Sequence, residues 1–375
     1  MMDDTIVRKR GRKVSGTSWK RDPLGPAFHT NFVWGQRYLQ ISAALPDTEV
    51  EGRARGIPVD FHHAPAAVKP RKNADREVFE EYKAQQKVCK VSAVGARRLM
   101  ELRKQVPDRK IICAVDGGFT NREVFQTIPE NTVLIGRIRK DASLFAVGKK
   151  AAGISRGRKK YYGDPLPTPE QIRADESIPW QTVSAFAAGK QHDFEVKTVS
   201  PVRWKSSKNR DMRVVVIRPL AYRPRKSAKL LYRDPAYLLC SDPQLPLEQL
   251  VQAYLWRWEI ELNFRDEKTL MGVGEAQVRT PAAVQTVPTF MVAVYAYLLL
   301  AAHAAGVKPA PAPKWYPQKS SNRCSTNSII SFFRSAFWNL NPEPIKRGFA
   351  PEPPGRRTLF FSAFSFAYAV TYAAK

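Results

Sequence analysis

Four side chains between Tyr254 and Lys268 have types and spacing that suit work on a phosphate group. They are Tyr254, Arg257, Glu261 and Lys268, and the segment that carries them has the apolar periodicity of an α-helix. At about 100° of turn per residue, all four fall within an arc of about 60°, and Arg265 lies on the same side. The pattern therefore predicts one carboxylate facing several cations along a helix.

This arrangement has two interpretations. As a ladder of ion pairs on a helix surface, each pair would contribute only about 0.3 to 0.5 kcal/mol. As a reaction site, Glu261 would bind a divalent cation beside cations that bind phosphate oxygens. Hard cations prefer carboxylate oxygens, and phosphoryl transfer on DNA uses metal ions on the attacking and leaving oxygens. The second interpretation requires further carboxylates from other segments.

Acidic residues in two other segments could complete such a site. Asp116 ends an apolar run and is followed by Gly117 and Gly118, whose missing side chains let a ligand approach closely. Asp3 and Asp4 begin a short strand-like stretch. Because successive strand residues face opposite sides, only one of these two can point into a shared site.

The elements that must position these acids follow an α/β order. Strands are predicted at 31–45, 110–119 and 132–140, and helices at 77–106, as one or two, and at 247–270. A short helix starting at Asn121 separates the second and third strands, which is typical of a parallel sheet. Functional groups gather at the carboxyl ends of such strands, where Asp116 lies.

Residues 142–241 interrupt this order and are predicted to form a mainly β insertion. Within it, residues 203–233 contain eleven Lys or Arg and one acid, Asp211. A solvated face would account for the charges, but interleaved aromatic residues favour a surface for nucleic acid. The candidate DNA contacts in the insertion are Trp204, Lys205 and Arg210.

Composition points to a folded protein with a polyanionic partner. The 375 residues include 61 Lys and Arg against 34 Asp and Glu, a net charge of +27, while 43% of residues are hydrophobic. Four cysteines lie far apart, so neither a zinc site nor a disulfide framework is indicated, and a reducing cytoplasmic compartment is expected. Residues 287–305 could span a bilayer by length, but Pro288 and several polar residues favour a core helix, and no membrane partner is expected.

At these residues the chain resembles the DDE transposases of bacterial insertion sequences, in the cut-and-paste branch marked by a YREK signature, the insertion sequence 4 group. The signature is Tyr, two residues, Arg, three residues, Glu, six residues and Lys, which Tyr254, Arg257, Glu261 and Lys268 match. The stretch VDGGFTNREVF is similar to the region of the family's second Asp, and DDT to the region of its first. The resemblance reaches to about residue 305.

The resemblance implies an RNase H-like core, a mixed sheet flanked by helices, with a mainly β insertion and a helical C-terminal part. It makes Asp4, Asp116 and Glu261 the catalytic residues and the ligands of two Mg²⁺ or Mn²⁺ ions. Asp4 is preferred, with Asp3 as the alternative, because family strands often place the acid directly before Thr. The ions would activate water or a DNA 3′-OH and stabilise the leaving oxygen, so that one site could cut and join DNA.

The resemblance also implies partners and a location. They are double-stranded DNA at transposon ends and target, a second copy of the chain that pairs two ends, and the bacterial cytoplasm beside the nucleoid. Trp258 and Trp204 could stack on an extruded base, although either equally suits a core position. The expected DNA contacts are Tyr254, Arg257, Lys268, Trp258, Arg265, Trp204, Lys205 and Arg210.

The expected organisation has four parts. Residues 1–141 form the first part of the core, 142–241 the insertion, 242–306 the core completion with the YREK helix and an apolar helix, and 307–375 a tail region. Family members carry an end-binding helical domain before the first Asp, so the chain is expected to be a transposase truncated at its N-terminus. The alternatives are an inactive transposase remnant that only binds DNA, and a different RNase H-like nuclease.

Overall fold

A computed structural model describes residues 1–22, 25, 29–148, 161–222 and 229–305. The chain divides into two compact units, Met1–Val292 and Ala293–Lys375, and the features below belong to the first unless stated. The predicted tail region at 307–375 lies outside the described residues.

The strands are β1 (Met2–Arg8), β2 (Ser18–Arg21), β3 (Phe32–Pro46), β4 (Ala54–His63), β5 (Ile111–Val115), β6 (Thr132–Arg137), β7 (Leu144–Val147), β8 (Tyr162–Leu166), β9 (Gln181–Ala187), β10 (Lys190–Trp204), β11 (Met212–Ile217), β12 (Ala221–Tyr222), β13 (Leu231–Tyr232) and β14 (Ala236–Cys240). The helices are α1 (Arg76–Val88), α2 (Val91–Gln105), α3 (Arg122–Phe125), α4 (Pro169–Ala174), α5 (Leu247–Trp256), α6 (Trp258–Thr269) and α7 (Pro281–Ala304), with 3₁₀ turns at Gly117–Phe119 and Lys205–Ser207.

The centre of the sheet is mixed, which confirms an α/β fold. β1 pairs antiparallel with β3, and β3 pairs antiparallel with β4. On its other side β1 is parallel to β5, and β5 is parallel to β6. β5 and β6 are continuous apolar runs because helices cover both of their faces. Their carboxyl ends therefore meet at one edge of the sheet, beside the start of β1.

The strands of residues 142–241 extend this same sheet. β14 pairs antiparallel with β6, and β11, β10 and β9 follow through antiparallel pairs. β7 and β8 continue from the far end of β10. Twelve of the described strands thus belong to one sheet, so the predicted insertion shares the sheet of the core.

Helices cover the two faces of the sheet. α2 packs on one face, in the apolar cluster that includes Met2, Leu39 and Phe119. α5 and α6 cover the other face, α5 through Leu250 and Val251. The predicted helical stretch at 77–106 forms two helices, α1 and α2.

The first half of α7 packs on β3 and β4. The Tyr38 hydroxyl donates to the Val284 carbonyl at 2.9 Å, and the Thr289 hydroxyl donates to the Phe61 carbonyl at 3.0 Å. α7 is the one helix in the described part of the chain that is long and apolar enough to cross a membrane, a test that core helices also pass. One such helix is weak support for a membrane protein, and the first half of α7 packs as a core helix does.

Candidate active site

β1 presents Asp3 and Asp4 to opposite faces of the sheet. Met2 packs in the apolar cluster on the α2 face, and alternation along the strand puts Asp4 on that face too. Met1 packs with Ile260 of α6, so Asp3 belongs to the α6 face. The two neighbouring carboxylates therefore meet different sets of residues.

Asp116 is the parallel neighbour of Asp3. Met2 of β1 pairs with Val115 of β5, so the next residues along the two strands are Asp3 and Asp116. Asp116 is half-buried, and its carbonyl accepts hydrogen bonds from the Phe119 amide at 3.0 Å and the Thr120 hydroxyl at 3.2 Å. These bonds fix the turn that follows the strand.

Two glycines shape the space around this turn. A Cβ on Gly136 of β6 would lie 2.2 Å from the Thr120 hydroxyl oxygen, so only glycine lets the turn lie against β6 without a shift. A Cβ on Gly118 would meet nothing within 4 Å. The space in front of the turn is therefore open to a ligand.

Arg257 lies between two carboxylates. Its guanidinium is 3.4 Å from the Asp3 carboxylate and 3.1 Å from the Glu261 carboxylate. Tyr254 also forms a side-chain hydrogen bond with Arg257. Asp116 acts electrostatically on Asp3, Glu261 and Arg257, so acids from β1, the end of β5 and α6 form one cluster.

The predicted single helix at 247–270 is interrupted at Arg257. α5 ends at Trp256 and α6 begins at Trp258, although Arg257 keeps right-handed helical angles. Hydrogen bonds of the tighter i to i+3 kind, from Arg257 to Tyr254 and from Ile260 to Arg257, surround the break. α5 packs mainly on β9, β5 and β6, whereas α6 packs on β4, β3 and β1. Arg257 lies at the junction between the two helices.

Several contacts hold α6 on the sheet. The Asn263 amide donates to the Ser42 hydroxyl at 3.2 Å, and Arg55 of β4 pairs with Asp266 at 3.0 Å. Lys268 donates to the Thr5 hydroxyl at 2.6 Å. Because Lys268 is bound to β1, its structural role is to join α6 to the strand that carries Asp3.

Burial changes the acidity of the clustered acids. Burial raises the pKa of Asp3 to about 7. The Asp4 amide, which donates to the Asp3 carboxylate at 2.8 Å, and Arg257 oppose the rise, and the charges of Asp4 and Asp116 add to it. Burial also raises the pKa of Glu261, again opposed by Arg257. A cation that replaced or joined Arg257 would favour the ionised form of both acids.

Asp4 has a different environment. Its carboxylate is 3.1 Å from Arg37, and Lys20 and Asp116 also act on it electrostatically. The resemblance favoured Asp4 over Asp3 as the ligand, and in the structure Asp3, not Asp4, lies on the α6 face with Glu261. The reason is the strand alternation, which directs Asp3 to α6 and Asp4 to the α2 face.

The remaining predicted contacts of α6 differ in their surroundings. Trp258 is 57% exposed at the start of α6, next to Arg257, so its ring is free to stack. Arg265 pairs with the neighbouring Asp266 at 2.9 Å. Burial raises the pKa of Tyr254, which keeps its hydroxyl protonated.

The predicted insertion residues occupy two places. Trp204 is half-buried, lies edge-on to Phe125 at 5.5 Å and lines a cleft beside Gly117. Lys205 is exposed and lies 4.7 Å above the Phe145 ring. Arg210 lines a separate, smaller cleft at the amino ends of β5 and β6. The structure thus brings Trp204 to the site's edge of the sheet and leaves Arg210 at the opposite edge.

The larger cleft has a volume of about 1210 Å³ and adjoins the Asp116 turn. Two of its cations are paired, Arg139 with Asp141 and Arg173 with Glu170. Arg137 and Lys140 line it without such a partner in the described part of the chain. The cleft is also lined by Gly117, Thr120, Trp204 and Tyr237.

Arg137 was not predicted from the sequence. Val115 of β5 pairs with Gly136 of β6, so the next residues of the two strands, Asp116 and Arg137, are neighbours. Arg137 also acts electrostatically on Tyr254. Aligning the ends of the two predicted parallel strands would have found this cation. It is the residue that links the acid cluster to the larger cleft.

The acid cluster suits divalent cations by its charge. Asp3 and Glu261 both contact the Arg257 guanidinium, and Asp116 lies within electrostatic reach of all three, so three carboxyl groups surround one cation. Across the described ranges, no three His, Cys, Asp or Glu side chains stand in an arrangement that would already hold a metal ion. The donor chemistry fits hard cations, and Arg257 now lies between two of the donors.

In comparison with known proteins, no protein-family model and no curated protein matches this chain.

Proposed function

We propose that this chain is a DNA phosphoryl-transfer enzyme of the DDE transposase kind with an RNase H-like core. The observation that carries the proposal is the convergence of Asp3, Asp116 and Glu261 around Arg257. A mixed sheet in which β1 and β5 are parallel neighbours supports the RNase H-like core, because that pairing brings the first two acids together.

Asp3, Asp116 and Glu261 are the residues that would hold two Mg²⁺ or Mn²⁺ ions. Such ions, when bound, activate an attacking water or 3′-OH and stabilise the leaving oxygen of a phosphodiester. Arg257 would exchange its carboxylate contacts for a phosphate oxygen of the substrate. Tyr254, through its protonated hydroxyl, would donate a hydrogen bond to the same phosphate.

The surrounding charges support a DNA substrate. Arg137 and Lys140 extend the positive surface from Asp116 into the larger cleft, where Trp204 offers an aromatic ring. Trp258 offers a second ring beside Arg257. We propose double-stranded DNA as the partner, bound by two copies of the chain in the bacterial cytoplasm.

A second candidate function is DNA binding without catalysis. The favouring observation is Arg257 itself, whose ion pairs with Asp3 and Glu261 neutralise charge that metal ions would otherwise neutralise. A chain in which these pairs persist would keep the basic surface and lose cleavage.

The test is nicking of supercoiled plasmid DNA in the presence of Mn²⁺. We expect nicking by the parent chain and its loss in Asp116→Ala and Glu261→Ala. Glu248→Ala, which removes an exposed acid of α5, serves as the matched control and should nick like the parent. DNA binding without nicking by the parent would support the second candidate and contradict the first.

A further inference from the structure

Exposed aromatic rings cluster at the β2 edge of the sheet, away from the acid cluster. Trp19 is 66% exposed and Phe32 is 60% exposed, the one on β2 and the other on its partner β3. Trp34 lies edge-on to Trp19, with the ring centroids 5.5 Å apart. A contiguous group of exposed apolar rings is a feature of binding surfaces, whereas single exposed rings are common.

Strand pairing puts these rings on the face that carries Asp3. Trp19 pairs with Trp34 and Arg21 with Phe32, so the four side chains share a face. Asp3 of β1 pairs with Gln40 of β3, and the Lys9 amide donates to the Trp34 carbonyl in the same register. Because Gln40 and Trp34 are an even number of residues apart on β3, Asp3 and Trp34 lie on the same face. Lys9 is six residues from Asp3, a distance of about 20 Å along an extended strand.

Cations surround the rings. Residues 8–21 contain seven Lys or Arg and no Asp or Glu. Arg10, Arg12, Lys13 and Arg21 are exposed, and the Trp34 indole donates to the Gly11 carbonyl at 3.1 Å, which holds the basic loop against the rings. We name Arg10, Arg12, Lys13, Trp19, Arg21 and Phe32 the β2-edge patch.

We propose that the β2-edge patch binds an unpaired strand of DNA. Cations alone would suit any nucleic acid, but exposed rings gain most from bases whose faces are free, and a duplex hides those faces. A second copy of the chain is a poor occupant, because two patches of like charge would repel each other. The choice of DNA rests on the function proposed above.

The test is binding of the full chain to a 20-nucleotide oligo(dT) and to a 20-base-pair duplex, by fluorescence anisotropy without added divalent ions. Trp19→Ala with Phe32→Ala should weaken oligo(dT) binding about tenfold or more and duplex binding less than about threefold. Trp19→Phe should recover most of the loss. Phe290→Ala, which removes a ring 51% exposed on α7, is the matched control and should bind like the parent.

The role of the patch's cations is tested by the salt dependence of binding. Replacing Arg10, Arg12 and Lys13 by Gln should lower the slope of log affinity against log salt by about two for oligo(dT). Thermal melting of each variant checks that it folds, and a double variant that does not fold is replaced by the single substitutions Trp19→Leu and Phe32→Leu, which should each weaken oligo(dT) binding.

Three results would overturn the proposal: unchanged oligo(dT) binding by the folded aromatic variants, an equal loss for single strand and duplex, or tighter binding of oligo(rU) than of oligo(dT). A parent dimer that Trp19→Ala dissociates would instead assign the patch to a second copy. Failure of the proposed function would give a different result. The parent would then not nick DNA, while the aromatic substitutions would still weaken oligo(dT) binding.

Discussion

The two faces of β1 treat neighbouring carboxylates in opposite ways. On the α6 face, Asp3 lies with Glu261 and the Arg257 guanidinium, and Asp116 acts on it electrostatically. On the α2 face, Asp4 is paired with Arg37 beside Lys20, and Met2 and Leu39 on that face belong to the apolar core. The alternation of side chains along one strand, more than residue type, thus decides which acid lies beside Glu261 and Arg257 and which pairs with Arg37.

Replacing each acid by its amide should show the largest difference between Asp3 and Asp4. Asp3→Asn should lower Mn²⁺-dependent nicking at least about a thousandfold, a barrier increase of about 4 kcal/mol, because it removes a proposed metal ligand. Asp4→Asn is the matched control and should change the nicking rate less than about fivefold. Rates of supercoil loss measure both, and a larger loss in Asp4→Asn would contradict the assignment.

The apolar face should dominate stability. Leu39, the cross-strand partner of Asp4, is fully buried, so Leu39→Ala should lower the free energy of unfolding by about 2 to 5 kcal/mol. Exposed Val59→Ala on β4 provides the control and should cost less than about 1 kcal/mol. Urea unfolding followed by circular dichroism measures the difference. Similar losses in the two variants would contradict the placement of Leu39 in the core.

The α6 face also contains an acid whose proton should affect stability. Burial raises the pKa of Glu267 to about 8, with Gln40 and Lys268 opposing and Asp266 adding to the shift. Between the ordinary glutamate pKa of about 4.3 and that value, the folded chain holds a proton that the unfolded chain has lost. Stability is then fully present below the unfolded pKa and declines as pH rises towards 8.

Glu267→Gln removes this titration. The Tm of the parent should fall between pH 5 and pH 8, and the Tm of Glu267→Gln should fall less over the same interval. Asp3, whose pKa is also raised, contributes with the same sign, so the variant should retain part of the decline. Glu101→Gln, on the exposed side of α2, is the control, and parallel pH curves for all three chains would refute the role of Glu267.

The smallest effect is expected at the partner of Asp4. Arg37→Met breaks an ion pair whose side chains are only 29% and 24% exposed, and should cost about 1 to 2 kcal/mol of stability, without changing the nicking rate of the folded chain. A loss of nicking in this variant would indicate that the Asp4 side of β1 takes part in the reaction.

The sequence predicts those parts of the site that depend on local pattern. The apolar runs of β5 and β6 are continuous, and their short connection implies a parallel pair, so the place of Asp116 follows from the sequence. The YREK spacing likewise identifies Glu261 and Arg257. Both depend on residues close together along the chain.

The rest depends on contacts between distant segments. Asp3 and Asp4 are equivalent until the pairing of Met2 with Val115 and the packing of Met1 on Ile260 set the face of each. The break at Arg257 leaves no mark on the periodicity, because that residue keeps helical angles. The pairing of β14 with β6 joins the insertion to the core sheet, and composition carries no signal for such a pairing.

Calorimetric titration of Mn²⁺ into the parent, Asp3→Asn and Asp4→Asn tests the central claim most directly. The acid cluster predicts that the parent and Asp4→Asn bind Mn²⁺ with similar affinity and that Asp3→Asn binds it at least about tenfold more weakly. Equal binding by Asp3→Asn and the parent, or a loss confined to Asp4→Asn, would contradict the assignment of Asp3 to the metal-binding face.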